Sequence, residues 1–309
     1  MMPVGSVFAA TPSPSPAATP GQGLEISPPV LELSANPGQT TTATIRVRNV
    51  SSGPLVITSR ADDFGASGED GKPKLLLDET SATRYSLKFW VAAIAPTTIA
   101  PQELKSVSFK INIPANAEPG GHFGVLRFTG APPNLSGTGV SLSASVGTLV
   151  LLRVSGAITD SLKVQSFTAA QNGKVHSFFE HGPVDFSMVF KNDGSVHEKP
   201  EGVINVTDMF GHKVGSVAIN PNGGNVLPGP IPRRFDGSLG NKSLFGRYTA
   251  TFTGAYLDDN HRLVSKITFW VIPWKLLLLA LVGLIVLIWL LRLAMKRYNA
   301  YIIRQARRN

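Results

Sequence analysis

The chain has no cysteine among its 309 residues. That absence excludes disulfide staples, haem thiolates, cysteine-ligated zinc and a cysteine nucleophile together. Stability must then come from hydrophobic cores of ordinary size, and the length suffices for two of them. Charge is scarce as well, at 16% of residues. Acid is missing from the whole C-terminal stretch: no Asp or Glu follows Lys275, whereas Lys275, Arg292, Lys296, Arg297, Arg304, Arg307 and Arg308 give that end +7 of the formal +9. The remainder therefore carries only +2, has no broad basic face, and is not expected to bind nucleic acid. Histidine is sparse and dispersed. Of His122, His176, His181, His197, His212 and His261 only the second and third lie close together, so zinc is not expected. No serine sits in a G-x-S-x-G elbow, and no glycine-rich turn has the strand-plus-helix context of a phosphate cradle. The expectation is a protein without cofactor and without catalysis. A wall hydrolase stays open as an alternative only because a carboxylate pair is defined in space rather than by spacing.

What the chain does possess is one long apolar run. From Leu276 to Leu291 there is no charge, amide or hydroxyl, and Trp274, Lys275, Trp289, Arg292, Lys296 and Arg297 fringe the run with the residues that anchor a helix at membrane interfaces. A helix from Trp274 to Ala294 is roughly 30 Å long, which matches a bilayer core. A transmembrane helix is therefore placed at 273–295, with a basic cytoplasmic tail at 296–309. The one-sided cationic flank orients the chain with its C-terminus inside and about 270 residues outside. The opening segment 1–23 ends its short apolar stretch with Val7 and Ala9, as signal cleavage sites do, but has no basic leader. It reads as a signal-peptide remnant that runs into a disordered Pro/Ser/Ala-rich tail.

Between tail and anchor the patterning has period two. "TTATIRVRNV" sets Ala43, Ile45 and Val47 against Thr44, Arg46 and Arg48; "SVSFKINIP" sets Val107, Phe109, Ile111 and Ile113 against Ser108, Lys110 and Asn112. Further strands are expected at Tyr85–Val91, Phe123–Phe128, 140–146 and Leu149–Val154. Dense turn signals separate them, and no amphipathic helix intervenes. A second unit starts near Ser155, with "VDFSMVFKN", "GRYTATFTGAYL" and "LVSKITFWVIPW" as its clearest strands. The last of these runs directly into the apolar helix, with Pro273 suited to its first turn. The predicted fold is all-β: two tandem immunoglobulin-like β-sandwiches, 24–154 and 155–272, followed by one C-terminal transmembrane helix. A small barrel fits the alternation of the first unit too.

The segments "LEISPPVLELSANPGQTTTATIRVRN", "INIPANAEPGGHFGVLRF", "VDFSMVFKNDGSVHEKPEGVINVTDMFGHKVGSVAINPNGGNVLPGPIPRRFD", "FGRYTATFTG" and "FWVIPW", in that order, resemble the WxL-interacting proteins. These are two-domain, membrane-anchored surface proteins of Gram-positive bacteria. A weaker resemblance links the strand, Asn-Pro-Gly, strand, Asn pattern to immunoglobulin-like pilus chaperones. The first resemblance implies a peptidoglycan-binding first domain, a second domain that contacts a secreted or wall-attached surface protein, and no catalytic role. It implies a single-pass cell-membrane protein with its ectodomain outside, whose partners are a protein, peptidoglycan or another wall polymer, and the lipid bilayer. The second implies a membrane-tethered assembly chaperone for secreted or pilus-like subunits.

Three local sets are candidate sites. Asp62, Asp63, Glu69 and Asp70 in "DDFGASGEDG" collect carboxylates beside glycines, a weak calcium candidate against the reading of a solvated turn. Trp90 is the aromatic platform a glycan would use, set against a core role. Arg233, Arg234 and Phe235 in "PIPRRF" form a stiff cationic segment for a carboxylate-bearing partner, set against a loop whose Phe235 packs under the sheet.

Overall fold

The computed structural model describes residues 23–77, 80–133, 143–242, 244–257 and 261–306, with side chains through Tyr298. The described residues are mostly strand, in two sheet-rich units and one apolar C-terminal helix. The first unit extends to Val154, except that Phe64–Lys74 and Pro119–Gly121 cluster with the second.

The first unit contains β1 (Leu24–Ser27), β2 (Val30–Ala35), β3 (Thr40–Asn49), β4 (Leu55–Ala66), β5 (Pro73–Leu76), β6 (Thr97–Ile99), β7 (Leu104–Asn112), β8 (Gly120–Ala131) and β9 (Ala144–Val154). They form a three-stranded sheet, β1-β3-β7, and a larger one, β2-β9-β8-β4-β5, with β6 pairing β4. The alternation sets which face is buried. Ile45 and Val47 of β3 and Val107, Phe109 and Ile111 of β7 meet Leu55 and Ile57 of β4, Leu126 and Phe128 of β8, and Val150 and Leu152 of β9 in one core. Each such side chain contributes about 1.5–3 kcal/mol relative to exposure. The pleat sends Thr44, Arg46 and Lys110 to solvent.

One expected strand is absent. Tyr85–Val91 is irregular, with a short 3-10 turn at Lys88–Trp90 and only single bridges at Ser86 and Val91. The cause is local: the Asp63 carboxylate accepts from both Leu87 N and Lys88 N at 2.9 Å, which bends the backbone away from a ladder while Leu87 plugs the core. The strands expected at 140–146 and Leu149–Val154 are, from Ala144 onward, the single strand β9; residues 140–142 lie outside the described residues.

The second unit contains β10 (Leu162–Gln171), β11 (Lys174–Val175), β12 (Phe178–Phe179), β13 (Asp185–Asn192), β14 (Glu201–Thr207), β15 (Lys213–Ile219), β16 (Arg233–Ser238), β17 (Gly246–Tyr256), β18 (His261–Val271) and the helix α1 (Trp274–Ala306). Its sheets are β11-β10-β13-β16 and β12-β18-β17-β14-β15. The β10–β11 hairpin turns on Asn172 and Gly173, both at positive φ, as a two-residue turn requires. The core is aromatic: Phe186, Phe190, Phe252 and Phe269 are fully buried, and Phe269 contacts the rings of Phe179, Phe186 and Tyr248. β17 and β18 pair without interruption from Gly246↔Val271 to Tyr256↔His261.

The helix begins where the sequence places it, with Leu277 N bonding to the Pro273 carbonyl. The helix runs on through Ala306, so Lys296, Arg297 and Arg304 lie within it.

Candidate functional site

Trp90 is half-buried at the end of the 3-10 turn and packs against the first unit's core, its ring 4.2 Å from that of His122. It is not a free platform. His122 is buried, with Nε2 2.9 Å from Glu118 O and Nδ1 3.3 Å from Ser86 O. Burial pushes its imidazole pKa below the ordinary value and Arg84 adds to this, outweighing the two carbonyls and Glu118, which pull the other way.

"PIPRRF" is only partly a loop, because Arg233–Ser238 is strand β16, antiparallel to β13. Phe235 sits edge-on to Phe190 and joins the second unit's core. Arg233 lies over the Phe235 ring and donates from Nη1 to Asn225 O at 2.5 Å, and burial lowers its pKa against the opposing field of Asp70. Arg234 points to the outer face of the sheet, where its guanidinium is 3.8 Å from both Glu69 and Asp236. That face is a shallow concavity of about 680 Å³ whose lining includes Ser166, Thr168 and Ser187.

The four carboxylates of the calcium candidate do not converge. Asp62 and Asp63 are buried, successive residues of β4 and so on opposite faces. Asp62 pairs with Arg60 and with both Nε and Nη2 of Arg127, while Asp63 holds the turn backbone and faces Lys88 Nζ at 3.6 Å. Glu69 faces Arg234. Asp70 pairs with Lys72 at 2.8 Å, which holds its carboxyl below the usual range. Among the described residues no group of three or more His, Cys, Asp or Glu could hold a metal ion. "DDFGASGEDG" thus spends its acid on cations of the same chain.

A feature that residue-by-residue reading missed lies in β9. This strand runs between β8 and β2, but β2 pairs only with Leu149–Val154, starting at Val30↔Leu149. At Pro28 and Pro29 the chain leaves β1, which belongs to the other sheet, and Pro29 O accepts from Leu149 N. Ala144–Thr148 therefore has β8 on one side and, among the described residues, no hydrogen-bonded strand on the other, although β1, paired to β3, lies close to β9. Leu149 N points toward β2, so by alternation the N–H and C=O groups of Ser145 and Gly147 point to the same open side. The inward residues Ala144 and Val146 are half-buried against the core, and Thr148 caps the opening by donating from Oγ1 to Pro28 O at 2.8 Å. The result is a short edge without a ladder partner, above a partly apolar floor. Its only sequence signal is the pair of prolines, which cannot donate to a ladder and mark where β2 begins.

At the C-terminal end of the second unit, backbone bonds from Trp270 N to Ser177 O and from Ile272 N to Phe179 O tie β18 to β12 up to the helix. Lys275 Nζ, in the first turn of α1, pairs with Glu180 Oε2 at 2.8 Å. From Trp274 to Tyr298 the helix is long and apolar enough to cross a bilayer, and its side chains lie exposed. Trp274 and Lys275 stand at its start, Trp289 and Arg292 near its far end, and Lys296 and Arg297 one turn beyond.

No family model matches the sequence, and no curated protein does. Among solved structures the chain is similar to the class 5 fimbriae chaperone CfaA, at 13% identity over 79% of this chain and 98% of that one, with a TM-score of 0.40. It is similar to the Escherichia coli chaperone DraB, at 12% identity over 80% and 96% of the two chains, with a TM-score of 0.36. The Pseudomonas aeruginosa chaperone CupB2 follows at 12% identity over 80% and 100%, with a TM-score of 0.34. These are weak likenesses of fold to pilus chaperones. Kinship with WxL-interacting proteins finds no counterpart among these matches.

Proposed function

We propose that the protein is a non-catalytic, membrane-anchored surface module that binds an extended segment of a secreted or surface protein by strand addition at the open edge of β9. In this reading the paired sheets of each unit close as immunoglobulin-like sandwiches, over 24–154 and 155–272. α1 crosses the bilayer once, with the sheets outside and the C-terminus in the cytoplasm. The observation that carries the reading is the unpaired stretch Ala144–Thr148. Backbone groups at a sheet edge supply affinity to any extended chain, and the floor formed by Ala144 and Val146 selects alternate apolar side chains. A wall polymer is the less favoured ligand, since Trp90 packs into the core rather than offering a platform. The lifetime of the bound segment separates a standing receptor from an assembly chaperone.

The test is a photo-crosslinker at Ser145 in the full chain on living cells, with Val264, exposed on β18, as the comparison site. A discrete protein adduct is expected at Ser145 and not at Val264. Ser145→Pro, which removes one outward N–H and leaves the pairing to β8, should weaken capture by an untouched probe at Gly147 about tenfold. Equal adducts at both sites, or an adduct to muropeptide alone, would refute strand addition. Protease added to right-side-out vesicles should remove both units and spare a tag after Asn309.

A further inference from the structure

We propose that the second unit rests on the bilayer through a second contact, the turn between β14 and β15, whose Met209 and Phe210 insert among the lipid headgroups beside the start of α1. The inference rests on the reading of α1 as a membrane anchor. It starts from register. β18 runs into α1, so Val271 marks the end of the sheet nearest the helix, and Gly246 of β17 lies directly across from it. β14 is antiparallel to β17, with Thr207 opposite Thr249, so the chain leaving β14 continues toward the Gly246 level as it enters the turn Asp208–His212. Close approach confirms the level: a side chain added at Gly246 would collide with Met209 Cε. The turn therefore ends within about 10 Å, three residues of strand rise, of the height at which the helix starts.

The turn holds its apolar residues in water by design of its own bonds. Asp208 Oδ1 accepts from Phe210 N at 2.9 Å and His212 N at 2.8 Å, and Asp208 N bonds to His212 O. Phe210 is left 78% exposed and Met209 53%. A structured turn that projects a phenylalanine into solvent gains nothing from the projection unless an apolar phase receives it. The same end of the unit also exposes Phe178, Phe245 and Trp270, and Trp274 follows at the first residue of α1. These are all the exposed aromatic residues of the unit's described sheets and turns. Lys213, Arg247 and Lys275 stand among them, exposed, while the acids nearby, Asp208 and Glu180, are paired with His212 and Lys275. Aromatic rings beside the exposed cations Lys213 and Arg247 suit an anionic headgroup layer. The surface continues directly into the helix that enters the bilayer, which identifies the occupant as lipid rather than protein.

Because the chain has no native cysteine, single-cysteine probes report without background. An environment-sensitive fluorophore on Phe210→Cys in the full chain, reconstituted in vesicles of phosphatidylcholine and phosphatidylglycerol, should be quenched by headgroup-proximal spin-labelled lipid. Quenching should exceed that on Val264→Cys, about 24 Å up β18, by roughly fivefold. Quenching at Phe210 no greater than at Val264 overturns the contact. Leu284→Cys, mid-helix, distinguishes the two levels: if it is unquenched by deep spin labels, the anchoring reading itself fails, and this inference with it.

Discussion

Asn49 at the end of β3, in the first unit, and Asn192 at the end of β13, in the second, make the same set of bonds. Asn49 accepts at Oδ1 from the N–H two residues on, at Ser51, and donates to the carbonyl four residues on, at Gly53, and to Ile99 O across the fold. Asn192 accepts from Gly194 N and donates to Val196 O and Val226 O. Both are fully buried. An amide has the donors and acceptor to satisfy a turn and a distant strand end at once, so one residue fixes where a strand stops and what lies beside it. The interiors around these pins differ. The first unit packs mainly aliphatic side chains beside the buried Asp63 and the Lys88 that faces it, whereas the second packs aromatic rings edge to face. The same backbone device thus tolerates two kinds of core, and specificity of the turn is separable from the chemistry of the filling.

Substitutions can break that separation unit by unit. The largest effect is expected from Phe269→Ala, which removes the ring shared by Phe179, Phe186 and Tyr248 and should cost the second unit about 4 kcal/mol. Hydrogen exchange should lose protection in β13, β17 and β18 and keep it in β3 and β7. Asn49→Ala and Asn192→Ala should each cost about 3 kcal/mol, because each removes the side-chain acceptor of a turn N–H, at Ser51 or Gly194, and the side-chain donor to a carbonyl, Ile99 O or Val196 O. If the device is truly common, the two losses in denaturant midpoint agree and each stays within its own unit; unequal losses would show that the surrounding core decides. Asp63→Ala should cost the first unit about 2 kcal/mol, since it removes the acceptor of Leu87 N and Lys88 N and the carboxylate that faces Lys88 Nζ, while Asp63→Asn should recover about half.

The smallest effect concerns pH. The folded pKa of His122 lies below its unfolded value near 6.5, so the unfolded chain binds the proton first. The first unit therefore has its full stability above about pH 7 and loses some as pH falls through 6.5 toward the folded pKa. Denaturant unfolding of the detergent-solubilised chain at pH 7.5 and 5.5 should show the drop for the native protein and not for His122→Gln. The second unit, followed by exchange in β17, should show no matching change.

Much of this was legible. Alternation located β3, β7 and β13 because each buries one face, and a period of two then has only one physical cause. The apolar helix start was legible from Pro273 and Trp274. Tyr85–Val91 misled because its apolar residues are those of a strand, while the group that bends it, Asp63, is more than twenty residues away. Arg233 and Arg234 looked like a loop because prolines precede them, but β13 needs an outer neighbour and Phe235 a core to enter. The open side of β9 and the level of Phe210 could not be read at all: both are consequences of register, which depends on which strands pair and not on what any one strand contains.

β18 offers a last consequence. It is bonded along its full length to β17 and leads without a slack linker into α1, with Lys275 and Glu180 bracing the corner. If α1 anchors the chain and a partner binds as proposed, a pull on that partner by flow or by growth of the envelope would reach the sheet along the strand axis, from the end that leads into α1. Ladder bonds lie across that axis, so the load falls on many of them in shear at once rather than on one at a time as in a zipper. Under the proposed anchoring, such a joint would act as a mechanical fastening that yields late and abruptly.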